Sequence, residues 1–243
     1  MQIKDSVVLI TGAASRLARE VAISLARKGA HISFTYYLED EPWQETQKEI
    51  EACGVKCLVH QVEIRDSAKI NAWVEHTLEV FGHIDVLVNS ASIWLKAPFM
   101  EITEEDWDMA MEVNLKGPFL CSKAVAPAML KQGQGVIINM TDLSAFQVWT
   151  GYAHHASSKA GLMTLTKSMA YELAPAIRVN AIAPGTVLLP PNPSPEKIQW
   201  AVEKSVLKRV GSPADVAHLA AFLIENDFAT GSVYFVDGGR SLV

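Results

Sequence analysis

The sequence predicts an α/β fold: a doubly wound parallel sheet of about seven strands in the order 3-2-1-4-5-6-7, Rossmann-like, in three layers α/β/α. Three observations predict it. Short runs of apolar residues recur at Val7–Ile10 and at 32–34, 84–88, 136–138 and 179–182. They carry almost no polar interruption, as expected of strands covered on both faces. The segments between them are longer and have helical periodicity, and the first run ends in a glycine turn.

The first run leads into Thr11-Gly12-Ala13-Ala14-Ser15-Arg16-Leu17-Ala18, followed by a helical pattern through Lys28. A strand, tight turn and helix start in that order aim backbone N–H groups and the positive helix end at a diphosphate. Gly12 allows the chain to turn, and Ala18 allows a close helix approach. With a single glycine, a plain βα connection fits the letters equally well. At the end of the second strand, around Thr35-Tyr36-Tyr37-Leu38, no acidic residue stands where a ribose 2′-hydroxyl is usually met; Glu39 and Asp40 follow slightly late. Arg16 offers a guanidinium to a 2′-phosphate, which favours NADP(H) over NAD(H), unless that side chain merely faces solvent.

Further along, Thr103-Glu104-Glu105-Asp106 has the pattern of a capping box and opens a long helix predicted through Met129. Ser212-Pro213-Ala214-Asp215 repeats the pattern with proline at the first helical position. The proline-rich stretch 189–195 is the only break in composition, and it separates apolar segments of one core. Residues 1–243 are therefore expected to form a single domain.

Composition excludes several classes of function. The chain is 49% hydrophobic and 20% charged, with a net charge of -6, so disorder and broad binding to nucleic acid or an anionic membrane are not expected. No apolar run reaches the roughly 18 residues of a membrane span. Three cysteines, Cys53, Cys57 and Cys121, lack metal-ligand spacing and suit reduced thiols in the cytoplasm. No metal site is expected. His154 and His155 are adjacent, and neighbouring helical residues point about 100° apart. No Gly-X-Ser-X-Gly elbow is present.

Several motifs then follow in order: Asn89-Ser90-Ala91-Ser92 after the fourth strand, Val113-Asn114 in the long helix, Lys159-Ala160, Asn180-Ala181-Ile182-Ala183-Pro184-Gly185, and Val236-Asp237-Gly238-Gly239. Together with the Thr11-Gly12 turn they resemble the short-chain dehydrogenase/reductase superfamily over essentially the whole chain. The resemblance implies a nicotinamide cofactor. Gly12, Ser15, Arg16 and Leu17 would lie at its phosphates and Glu63 and Ile64 at its adenine. Asn89, Ala91, Lys159, Pro184, Gly185 and Thr186 would lie at the ribose and nicotinamide half. Asn114 would hold a water, and segment 188–202 would form a lid. It also implies a homotetramer or homodimer, packed through helices near 104–129 and 155–173, acting on a small molecule.

Within the superfamily the chain is most similar to the pteridine reductases, through Thr11 to Leu17, through Ser90-Ala91-Ser92-Ile93-Trp94 and through Asn139-Met140-Thr141-Asp142. The likeness places Ser92, Trp94, Asp142 and Tyr152 on the substrate side, with Trp94 stacking a pterin and Asp142 relaying a proton to a ring nitrogen. The other readings are that Trp94 packs at the rim and that Asp142 caps a loop. The implied reaction is hydride transfer to a pteridine-like or other planar C=N or C=O compound. A carbonyl reductase or alcohol dehydrogenase for another substrate is the alternative.

The pattern breaks at one place. The superfamily's catalytic tyrosine stands thirteen residues after the position of Asp142 and four before Lys159, and here that residue is His155. Three readings stay open: His155 donates the proton, Tyr152 donates it from three residues earlier on the same helical face, or the protein binds nucleotide with little or no turnover as a regulator. His154 reads as a surface or loop contact.

Overall fold

A computed structural model describes residues 1–243. Its seven strands are β1 (Val7–Ile10), β2 (His31–Tyr36), β3 (Cys57–Gln61), β4 (Val86–Asn89), β5 (Gly135–Met140), β6 (Ile177–Pro184) and β7 (Val233–Val236). They form one sheet in the order β3-β2-β1-β4-β5-β6-β7, and every pairing is parallel. That is the predicted order. The reversal falls between β1 and β4, so the loops leaving those two strands diverge and open a crevice at the carboxyl edge.

The helices are α1 (Arg16–Arg27), α2 (Trp43–Glu51), α3 (Ser67–Phe81), α4 (Glu104–Met111), α5 (Gly117–Gln132), α6 (Ala153–Glu172), α7 (Pro195–Glu203) and α8 (Pro213–Glu225). Two apolar cores lie on opposite faces of the sheet. One packs Val21, Leu25, Val216 and Ala220 of α1 and α8 against Val8, Ile10 and Ile32. The other packs Trp73, Val125 and Met129 of α3 and α5 against Val7, Leu9 and Leu87. The alternate residues of β1 thus feed different cores, which is why that strand reads as an unbroken apolar run.

Both predicted capping boxes form, at Thr103 with Asp106 and at Ser212 with Asp215. The long helix predicted from Thr103 to Met129 is interrupted by a π-helical stretch, Glu112–Lys116, with Asn114 inside it. A π-turn widens the helix by one residue and re-aims the side chains at that level, a device common at functional sites. The hydrophobic period on either side gives no sign of it. Segment 188–202 carries α7 in its second half. No helix is long and apolar enough to cross a membrane.

Candidate active site

The turn after β1 is held open by hydrogen bonds. Gly12 N–H donates to Thr35 Oγ1 at 3.2 Å and Ala13 N–H to Thr35 O at 3.0 Å, while Thr46 Oγ1 donates to Ala14 O at 2.8 Å. Gly12 has φ +68, and a Cβ there would stand 3.1 Å from the backbone of Ala91, so the close approach of the two loops requires glycine. Thr11 Oγ1 accepts from the N–H groups of Ser90 (2.9 Å) and Ala91 (3.0 Å), which joins the loops across the crevice.

Helix α1 starts beyond this turn with Ser15 as a cap that makes no side-chain hydrogen bond and with no acidic residue in its first turn. Its first N–H groups therefore lack intrahelical partners and face an anion-favouring field. Arg16 has φ +58, a left-handed conformation that a non-glycine residue adopts at some cost, and its side chain makes no ion pair.

Lys159, on α6, is buried and donates through Nζ to Met140 O at 2.9 Å. An ammonium has three donors, so two remain. Burial holds its pKa below the ordinary lysine value, partly offset by the charge of Asp142. Asn89 Nδ2 donates to Asn139 Oδ1 at 2.8 Å, and its Oδ1 is buried with no partner. Gly185 follows β6, where a Cβ would meet Asp237 Cα at 2.7 Å. An uncapped helix end, unspent lysine donors and an orphaned buried oxygen along one crevice fit a dinucleotide with its sugar over Lys159.

Glu63 is engaged within the chain. Its carboxylate accepts from Arg65 Nη2 at 2.7 Å and from Arg65 N–H at 3.1 Å, and those bonds hold it below the usual carboxylate range. It is therefore paired rather than free. A second carboxylate was not singled out in the sequence: Glu41 folds back so that its Oε1 accepts from the N–H groups of Tyr37 (2.9 Å) and Leu38 (2.8 Å) at the end of β2. Counting along the chain puts it too late; the turn through Leu38 brings it back.

The substrate side centres on His155 and Asp142. Asp142, at the end of β5, accepts from Ser144 N–H at 2.8 Å and from the Ser144 hydroxyl, which fixes its Oδ1. Its Oδ2 lies 2.7 Å from His155 Nε2, the histidine side chain being 1% exposed and the aspartate 14%. Burial alone raises the Asp142 pKa; the bond from His155, the charge of Lys159 and the Ser144 bonds together outweigh it and leave the group below its ordinary value. An ionised carboxylate has no proton to give, so His155 Nε2 carries the proton between them.

The other ring nitrogen, Nδ1, is 3.1 Å from Ile93 O and 3.3 Å from Asn114 Nδ2. Asn114 is saturated. Its Oδ1 accepts from Ser92 Oγ and Ile93 N–H, both at 2.9 Å, and its Nδ2 reaches Ser158 Oγ at 3.1 Å and Ile93 O at 3.3 Å. Through these bonds the amide clamps the loop after β4 onto α6.

Trp94 is 53% exposed and lies over His155 with ring centroids 4.4 Å apart. Tyr152 and Trp149 flank it at 5.0 and 5.6 Å. Tyr152 is the N-cap of α6 rather than a residue of its first turn. Its ring stands 6.3 Å from that of His155, with Lys96 Nζ 5.8 Å from its centroid. His154, expected at the surface, is fully buried, and neither ring nitrogen has a hydrogen-bond partner. Nothing in the local sequence separates it from an exposed helical histidine.

A parallel sheet with its crevice at the strand reversal, an uncapped helix end and a buried lysine beside a proton-bearing pair defines a dinucleotide-binding α/β oxidoreductase. The comparisons with known proteins agree. A family model described as enoyl-(acyl carrier protein) reductase matches residues 12–241. The chain is 36% identical over 250 residues to the (2S)-[(R)-hydroxy(phenyl)methyl]succinyl-CoA dehydrogenase subunit BbsD of Thauera aromatica, covering 100% of this chain and 99% of that one. It is 37% identical over 244 residues to the 3-oxoacyl-(acyl-carrier-protein) reductase FabG of Thermotoga maritima, covering 98% and 99%. Among solved structures, levodione reductase superposes with a TM-score of 0.92 at 28% identity over 99% of each chain. A 7α-hydroxysteroid dehydrogenase bound to NADH and 7-oxo glycochenodeoxycholic acid gives 0.91 at 30% identity over 98% and 96%.

The chain belongs to the short-chain dehydrogenase/reductase superfamily and is an oxidoreductase of that type.

Proposed function

We propose that residues 1–243 act as one nucleotide-binding and catalytic domain that reduces a planar C=O or C=N compound, pteridine-like or aryl-substituted, at the expense of NADP(H). The observation that carries this reading is the 2.7 Å pair of His155 and Asp142 set between Lys159 and the ring of Trp94. The alternative substrate class, a non-pteridine carbonyl or alcohol, is supported by the Thauera relative, whose name specifies a hydroxy(phenyl)methyl group.

Gly12, Ser15, Arg16 and Leu17 would lie at the phosphates, the Arg16 side chain at the 2′-phosphate, with Ile64 and Glu63 at the adenine edge. Asn89, Ala91, Pro184, Gly185, Thr186 and Lys159 would hold the ribose and nicotinamide half. When bound, the dinucleotide supplies or accepts a hydride. Preference for the 2′-phosphate rests on the unpaired guanidinium of Arg16, and on Glu41 spending an oxygen on two backbone N–H groups rather than on a ribose hydroxyl.

The chain's own work is to bind, orient and move one proton. Trp94, Tyr152 and Ser92 line the place for a flat substrate, and Trp94 excludes water from above the imidazole. His155 stands at the place the superfamily gives to tyrosine; as proton donor it would act from the doubly protonated ring and return to neutral imidazole, while Asp142 Oδ2 accepts from Nε2 and orients the ring. Lys159 places a buried positive charge beside Asp142 and keeps two donors for the sugar of a bound dinucleotide.

A second reading is favoured by the same geometry. Both nitrogens of His155 have partners within the protein, Asp142 on one side and Ile93 O or Asn114 on the other, which suits a nucleotide-binding protein of low turnover. Stopped-flow oxidation of NADPH with dihydrobiopterin or an aryl aldehyde, for wild type, His155→Tyr and Tyr152→Phe, separates the readings. Wild-type turnover that survives Tyr152→Phe supports donation by the His155 pair. Loss of turnover in Tyr152→Phe alone assigns the proton to Tyr152. An inert wild type rescued by His155→Tyr supports the binding protein.

Assembly as a homotetramer or homodimer is part of the proposal. Trp107, Phe119 and Tyr171, on the helices through which it would pack, are all exposed in the single chain. Light scattering on the eluting protein tests it. A cytoplasmic location suits the three free cysteines.

A further inference from the structure

Beyond the proton-bearing pair, the aromatic wall continues outward to a cation that the reaction as described does not use. Arg240 lies in the short 3-10 turn Arg240–Leu242 after β7. Its guanidinium carbon is 5.3 Å from the ring centroid of Trp149 and 4.9 Å from that of Trp200 on α7, so two indoles face it. Nη1 donates to Thr186 Oγ1, on the segment after β6, and Gln147 Nε2 donates to Arg240 O at 3.3 Å. The side chain is thereby held between the loop after β5, the segment after β6 and α7.

What the guanidinium lacks is an anion. No carboxylate oxygen lies within ion-pair distance of it. The nearest acidic neighbour in sequence, Asp237, accepts from Gly239 N–H at 2.9 Å and Ser241 N–H at 2.7 Å, so both its oxygens are engaged. A guanidinium has five N–H donors in a planar fork, and Thr186 takes one of them. Burial depresses its pKa, an effect that the charge of Asp237 only partly offsets. Stacking on indole offsets part of that cost but leaves the fork unfilled. The fork also borders a cavity of about 380 Å³ beneath α7, lined by Thr186, Val206, Leu207, Asp237 and Gly239.

The wall connects this cation to the chemistry. Trp149 lies 5.6 Å from Trp94, and Trp94 lies 4.4 Å from His155. A flat molecule with its reacting carbon at His155 and its body against Trp94 and Trp149 would bring an anionic group at its far end towards Arg240. We propose that Arg240 is a specificity-determining residue that binds the carboxylate of a planar, unsaturated oxo acid, clamped in place by Trp149 and Trp200. The proposal rests on the carbonyl-reducing reading and narrows its substrate class to anionic aryl or vinyl carbonyl compounds. It also gives α7 a role, because Trp200 brings that helix onto the cation.

The test compares 4-formylbenzoate and 4-formylcinnamate with their methyl esters, which share the planar aldehyde and lack the charge. With NADPH, wild type is expected to favour each acid over its ester by about tenfold or more in kcat/KM. Arg240→Gln is expected to lose at least about tenfold more on the acids than on the esters, chiefly through KM, and Arg240→Lys to retain part of the preference. Equal losses on acid and ester in Arg240→Gln, with circular dichroism unchanged, overturn the proposal and leave Arg240 as a brace for the C-terminal turn. So does an unchanged acid-to-ester ratio.

If wild type turns over none of the four compounds, the carbonyl-reducing reading fails separately, and tryptophan fluorescence decides the binding site. Saturable quenching by 4-formylbenzoate that is absent with its ester and lost in Arg240→Gln supports the anion site. No quenching, or equal quenching by the ester, overturns it.

Discussion

Replacing Asp142 by asparagine tests the pairing at the centre of the site, because the change preserves shape and removes charge. Oδ1 can go on accepting from Ser144 N–H, but the atom facing His155 Nε2 at 2.7 Å becomes an amide donor in the rotamer that keeps Ser144 satisfied. Donor then meets donor, and the imidazole has to move its proton to Nδ1 or turn away from its seat under Trp94. A hydrogen bond to a charged group is worth about 1.5–3 kcal/mol, and the attraction to Lys159 is lost with it. The expected loss is about 2–3 kcal/mol, or about 4–12 °C in Tm for a chain of this size.

The pH dependence has a definite sign. The folded Asp142 pKa is depressed, so its contribution is complete above the unfolded value of about 3.9 and is lost as pH falls through the lower folded value. Urea unfolding of wild type and Asp142→Asn should therefore differ by a constant amount above about pH 5, and the gap should begin to close below about pH 4. A difference under about 0.5 kcal/mol near neutrality would refute the pairing as the force that seats His155.

Two further outcomes are expected. Arg16→Ala should weaken NADPH binding by about tenfold while leaving NADH within about twofold, as measured by quenching of protein fluorescence; equal losses would mean that Arg16 does not read the 2′-phosphate. His154→Leu should raise stability by about 1–2 kcal/mol, since it removes a buried ring whose nitrogens have no partners. Burial lowers the His154 pKa, so the unfolded chain takes up the proton first and wild-type stability falls as pH drops below about 6.5 towards the folded value. The leucine variant should lose that part of the slope, and denaturant titrations across this range would reveal an unchanged slope if the assignment is wrong.

Much of this arrangement is legible in the chain itself. The central strands are written as apolar runs because alternate residues of β1 enter opposite cores, and the helix starts at Thr103 and Ser212 carry their own reciprocal caps. The edges are harder to read. β3 and β7 are only partly buried: β3, Cys57-Leu58-Val59-His60-Gln61, mixes polar with apolar residues, and β7, Val233-Tyr234-Phe235-Val236, is short and leaves Phe235 exposed.

Within the site, the positions of Lys159, Asp142, His155 and Trp94 follow from motif spacing, but their contacts do not. The 2.7 Å bond between His155 and Asp142 joins residues on different elements, and it exists because imidazole meets the carboxylate directly. The saturation of Asn114 depends on the π-turn that aims it, and the return of Glu41 to the end of β2 depends on a loop conformation. The clamp on Arg240 is assembled from the loop after β5, from α7 and from the C-terminal turn, a convergence that spacing along the chain cannot reveal.

Every later step depends on a dinucleotide lying along the crevice with its sugar over Lys159, and isothermal titration calorimetry tests that directly. Wild type should bind NADPH with saturable heat and micromolar affinity, and Lys159→Ala, still folded, should bind at least about tenfold more weakly. Well-folded wild type that gives no heat with either NADPH or NADH would contradict the account at its root.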